Sequence, residues 1–111
     1  MTNIKDREPK KFIPDFKENR KKPSKNQIVV WYYPTTLGEW EKYAGDSSNQ
    51  VIDIFKNHIT FENLFDPLTK KEIKTGADLM DSLYAPFRPL TLEIYVWILS
   101  FFKILEDNLK N

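Results

Sequence analysis

The feature that most limits how this chain can fold lies near its C-terminus. There Ile94, Tyr95, Val96, Trp97, Ile98, Leu99, Phe101 and Phe102 follow one another with only Ser100 among them. Thr91 is placed to cap a helix over this run, and Ile104 and Leu105 extend it before Glu106. A surface helix keeps a polar face, and this one is apolar almost all round. It is therefore the central helix of the domain, or one of its sides is covered by another molecule. A bilayer-spanning helix needs about twenty apolar residues, and the uncharged run from 94 to 102 is nine long. An interfacial helix would pair its apolar side with a Lys/Arg-rich face, which is missing here.

At 111 residues the chain has room for one modest core. A net charge of +1 conceals an asymmetry. Residues 1–27 carry nine Lys/Arg against four Asp/Glu, a net of +5, and residues 28–111 carry eight against twelve, a net of −4. The first segment also holds Pro9, Pro14 and Pro23. Prolines and charge together predict a flexible basic N-terminal arm over 1–26, followed by a small globular domain over 27–111. The patch Phe12-Ile13-Pro14-Asp15-Phe16 is the arm's apolar exception, and it reads either as a docking motif or as a clump that packs on its own domain.

Order is expected from Gln27. Ile28-Val29-Val30-Trp31-Tyr32-Tyr33 is β-branched or aromatic throughout and stops at Pro34, which predicts a strand covered on both faces or an edge paired with another chain. Thr36 and Glu39 have the spacing of a capping box, with Leu37, Trp40, Tyr43 and Ala44 on one helical face and Gly45 placed to end it. Ser47 to Gln50 opens a second helix with Val51, Ile52, Phe55 and Ile59 as its stripe. Residues 59–75 read as an irregular loop or short hairpin around Asp66-Pro67. Thr75 then caps a short helix carrying Leu79, Met80, Leu83 and Tyr84. The fold class implied is α+β, mainly α, with one or two short strands, three to four helices, the C-terminal helix central and an extended N-terminal arm.

The sequence offers little for catalysis. The absence of cysteine removes disulfides, thiolate zinc sites and thiol nucleophiles, and it fits a reducing compartment. The N-terminus lacks the apolar core of a secretory signal, so a cytoplasmic protein is expected. His58 is the lone histidine, and its neighbours Asp53, Glu62 and Asp66 form no ligand spacing, so it reads as structural. Gly38, Gly45 and Gly76 stand too far apart for a phosphate-binding loop. No catalytic, cofactor or metal residue is assigned, and a non-enzymatic protein is expected. Arg20, Lys21, Lys22 and Lys25 could meet nucleic-acid phosphates, with Trp31, Tyr32 and Tyr33 following. Strand alternation splits those three rings between two faces, and the body is acidic.

The segment Thr60 to Leu79, with the pattern Leu64-x-Asp66-Pro67-x-Thr69-x-x-x-Ile73, resembles small accessory proteins of tailed bacteriophages over about residues 60–105. The resemblance implies a tail, baseplate or neck component or an assembly factor, cytoplasmic or virion-associated, with no catalytic residue carried over. Partner proteins, including further copies of the chain, are accordingly expected to meet Phe12, Ile13 and Phe16 in the arm and Trp97, Phe101 and Phe102 in the last helix. The alternatives are a nucleic-acid-binding accessory protein working through the basic arm, and a small inhibitor of a host enzyme.

Overall fold

The apolar run after Gln27 becomes the middle strand of a three-stranded antiparallel sheet. The computed structural model describes residues 3–46 and 49–110, and side chains through residue 101. Strand β2 (Val29–Tyr32) lies between β1 (Lys10–Phe12) and β3 (Ile59–Glu62). Val30 faces Phe12 on one neighbour and Phe61 on the other, and Tyr32 faces Lys10 and Ile59. Alternation then sends Val30, Tyr32, Ile59 and Phe61 into the core and leaves Lys11, Trp31, Thr60 and Glu62 on the outer face. Both edges of β2 are paired because it is the central strand, and on its outer face Lys11 lies 5.8 Å over the half-buried Trp31 ring.

Among the described residues are four α-helices, α1 (Leu37–Asp46), α2 (Gln50–His58), α3 (Gly76–Met80) and α4 (Arg88–Lys110); α2, α3 and α4 bury side chains in the core, and α1 packs half-buried Trp40 and Tyr43 against it. The Thr36/Glu39 capping box forms: Thr36 Oγ1 accepts the Glu39 amide at 3.1 Å, and Glu39 Oε1 accepts the Thr36 amide at 2.9 Å. The expected opening of the second helix at Ser47 lies outside the described residues. Its cap is Asn49, whose side chain accepts the amides of Val51 and Ile52. The buried stripe of α2 is Ile54, Phe55 and His58, a rotation from the expected Val51 and Ile52, which are half-buried. Thr75 caps α3 in a second capping box with Asp78. Residues 59–75 return as a hairpin, with bridges from Phe65 to Glu72 and from Thr60 to Thr75. Pro89 does not break the chain, because it occupies the second position of α4, where its missing N–H would be unbonded in any case.

The molecule is α+β and mainly α, and one expectation needs correction. Residues 3–26 are no free arm. They supply β1, bury Phe16, Pro14 and Asn19, and pin Arg7 to Glu39 with an N···O distance of 2.6 Å. The physical reason is that the patch Phe12 to Phe16 has its apolar partners within the same domain, at Trp97 and Phe87. Among the described residues no helix is long and apolar enough to cross a membrane.

Candidate functional site

Helix α4 has two apolar faces, and among the described residues only one of them is fully buried. Leu90, Ile94 and Ile98 are fully buried against the sheet and α2. At 3.6 residues per turn, Leu92, Val96 and Leu99 lie nearly on the opposite side, and they are 45%, 69% and 46% exposed. Beside this stripe runs an open groove of about 600 Å³. Its walls are Phe12 from β1 and Pro89, Glu93, Trp97 and Ser100 from α4, with Leu92 and Val96 along its length.

The groove has a rigid wall. Phe12 stacks on Trp97 with centroids 4.9 Å apart and rings 14° from parallel. Trp97 meets Tyr32 and Phe101 edge-on, and Tyr32 and Phe101 are 5.2 Å apart. Aromatic clusters of this kind hold their geometry through quadrupole and contact terms beyond simple burial. The backbone amide of Asp15 donates to Glu93 Oε2 at 2.8 Å, which fixes the other end of the N-terminal segment against α4.

The residues expected to meet partners divide accordingly. Phe12 and Trp97 line the groove, and Phe101 supports Trp97 from the side. Phe16 is buried against Phe87, so it is core and not a docking group. Ile13 is half-buried, with its carbonyl accepting from Arg20 Nε at 2.8 Å. The side chain of Phe102 lies outside the described residues. Sequence reasoning passed over Pro89, Leu92, Val96 and Leu99, although the spacing of Leu92, Val96 and Leu99 is i, i+4, i+7. In a helix apolar all round, that spacing does not distinguish the inner stripe from the outer one.

The four residues expected to contact phosphates do not share a face. Arg20 lies 5.9 Å over Phe12 on the α4 side, Lys21 pairs with Glu18, and Lys22 is exposed nearby. Lys25 lines a concavity on the outer sheet face with Lys5, Lys11 and Lys74, where Glu62 and Glu72 offset the charge.

His58 is wholly buried and fully bonded. Its Nδ1 is 2.9 Å from the Tyr33 carbonyl and its Nε2 is 2.8 Å from the Tyr43 hydroxyl. A carbonyl only accepts, so the ring proton sits on Nδ1 and Nε2 accepts from tyrosine. Burial pushes the imidazole below its ordinary pKa. Close by, desolvation works to raise the Glu39 carboxyl, but Arg7 and Thr36 outweigh it and hold the group at about 2. Among the described residues no three His, Cys, Asp or Glu side chains gather in a way that could hold a metal ion. A second set of exposed apolar residues, Phe65, Leu68 and Leu83, surrounds the Asp66 turn. Asp66 accepts there from the Leu68 and Thr69 amides and from Ser82 Oγ at 2.6 Å, in a concavity shared with Glu72, Asp78 and Asp81.

Compared with family models, curated proteins and solved structures, the chain matches none. Fold and site together describe a small, mainly α, α+β domain with a partly exposed apolar helix face.

Proposed function

We propose that this is a non-enzymatic structural or assembly protein that works by binding other proteins through the outer face of α4. The observation that supports the reading is the exposed stripe Leu92, Val96 and Leu99 beside the Phe12–Trp97 groove. Covering three half-exposed aliphatic side chains contributes on the order of 2–4 kcal/mol. Association costs at least about 4 kcal/mol. The stripe alone therefore does not hold a partner, and the groove walls, Phe12 and Trp97, have to join the contact. A modest affinity per site suits a component that is held in an assembly by several neighbours. The setting we attach to it, a phage tail or baseplate, rests on the resemblance around Leu64 to Ile73.

The test is to place a photo-crosslinking amino acid at Val96 and, separately, at Lys56, an exposed residue on α2. After irradiation in the native host extract, crosslinked proteins should appear from position 96 and not from position 56. Crosslinks to nucleic acid, or equal yields from both positions, would remove the reading.

A further inference from the structure

Several cations stand around the apolar groove. Arg20 lies over Phe12, and Arg88 sits one turn before Leu92 on the same helical face. Lys10 lies on the same strand face as Phe12, opposite Tyr32, which touches Trp97 and Phe101. Lys17, near the start of α4, holds its ammonium 5.0 Å over the Tyr84 ring. Among the described residues the ion pairs are Arg7–Glu39 and Lys21–Glu18, so none of these four rim cations is paired with a carboxylate. Two carboxylates stand among them, and one, Glu93, is the single charged residue that lines the groove itself. Glu93 is engaged by the Asp15 amide, and Asp15 itself is exposed. The excess charge of the N-terminal segment is thus carried to the edge of an apolar slot.

We infer that the groove takes an acidic amphipathic helix of a partner protein, with aliphatic side chains in the slot and Asp or Glu against Lys10, Lys17, Arg20 and Arg88. The inference rests on the reading that α4 binds proteins, and it names the chemistry of what is bound. An apolar floor offers nothing to a phosphate backbone, whose affinity comes from cations along its whole path. A second copy of the chain would bring the same basic rim against this one, since a two-fold contact is made by identical patches. An acidic helix meets both requirements, the apolar slot and the like-charged edge.

The test is selection from a ribosome-displayed library of random peptides of roughly four helical turns, about 16 residues, on the immobilised full chain. Val96→Glu serves as the counter-target. Val96 is a surface residue, so that variant should fold, and Leu92→Gln is a second counter-target should it not. Enriched peptides should carry aliphatic residues four apart and more Asp/Glu than Lys/Arg. The best of them, made synthetically, should bind about fivefold more weakly to an Arg20→Glu/Arg88→Glu variant, and more weakly at higher salt. Peptides that are neutral or basic, yet lost on Val96→Glu, would overturn the acidic preference and leave the protein-binding reading intact. Enrichment indifferent to both counter-targets would overturn the two together. Tighter binding of a thymidine oligonucleotide than of any peptide, or a dimer in sedimentation that Val96→Glu dissolves, would also overturn it.

Discussion

Asn19 is the side chain on which the N-terminal segment turns. It is fully buried, and its Nδ2 donates to the carbonyls of Pro14 and Ile28 at 2.9 and 3.0 Å. Its Oδ1 accepts the Ile28 amide at 2.7 Å. The preceding pair, Lys17 and Glu18, is left-handed, with φ of 49° and 61°, a conformation that costs roughly 1–2 kcal/mol per residue. The chain accepts it because the turn carries Phe16 and Asn19 inward. Asn19→Leu would strand three buried backbone groups, so a loss of about 2–4 kcal/mol is expected, read as a lower urea midpoint. An unchanged midpoint would mean that water replaces the amide. His58 gives a prediction in pH. Its folded pKa lies below the ordinary 6.5, so the unfolded chain takes up a proton first as pH falls. Stability should decline from about pH 6.5 downward, and more steeply below about 4.5 as Glu39, held near 2, begins to matter. In His58→Gln the melting temperature should be flat between about pH 7 and 5; a decline matching wild type there would assign the dependence elsewhere.

At the level of elements, α2 and α3 approach each other closely at Gly76. A Cβ on Gly76 would stand 1.9 Å from the Phe55 carbonyl oxygen, and that atom is backbone, so it cannot swing aside. Gly76→Ala should separate the two helices and destabilise the fold by about 2–3 kcal/mol, visible as a fall in melting temperature. Gly45 has nothing within 4 Å of its added Cβ and serves as the control, since Gly45→Ala should be neutral or slightly stabilising. The elements most legible in the sequence were those with local signatures: the capping boxes at Thr36 and Thr75, the strand before Pro34, and the body of α4, which starts at Arg88 and so holds Thr91, the expected cap, inside its first turn. Gly76 was legible only as part of a cap, because the sequence carries no sign of which backbone it will press against. The stripe of α2 was misjudged for a similar reason. Ile54 is flanked by Asp53, and periodicity alone does not choose between two adjacent faces of a short helix.

At the scale of the whole molecule the N-terminal segment was the least legible part, and it decides how the candidate site is built. Composition made residues 1–26 look like a tail, because nine cations and three prolines outweigh the four bulky groups Ile4, Phe12, Ile13 and Phe16 in any average. Burial is set by individual positions, and Phe12, Pro14, Phe16 and Asn19 each find a fitted place. The groove on α4 therefore has a wall built from both ends of the sequence, Phe12 stacked on Trp97, and folding closes it over a long loop. Such a site is invisible to any window along the chain. It follows that deleting residues 1–26 removes an edge strand, the buried Phe16 and the Arg7–Glu39 pair together. The fragment 27–111 should lose several kcal/mol, since burying one large side chain alone contributes about 1.5–3 kcal/mol. It should also bind a dye that reports exposed apolar surface. Phe12→Ala separates the site from the fold. Phe12 is half-buried at the edge of the core, so this variant should stay folded, losing about 1–2 kcal/mol with the Trp97 stack. Partner crosslinking from position 96 should fall with it. Full crosslinking by Phe12→Ala would show that α4 binds without Phe12, and the N-terminal strand would then be a support for the core alone.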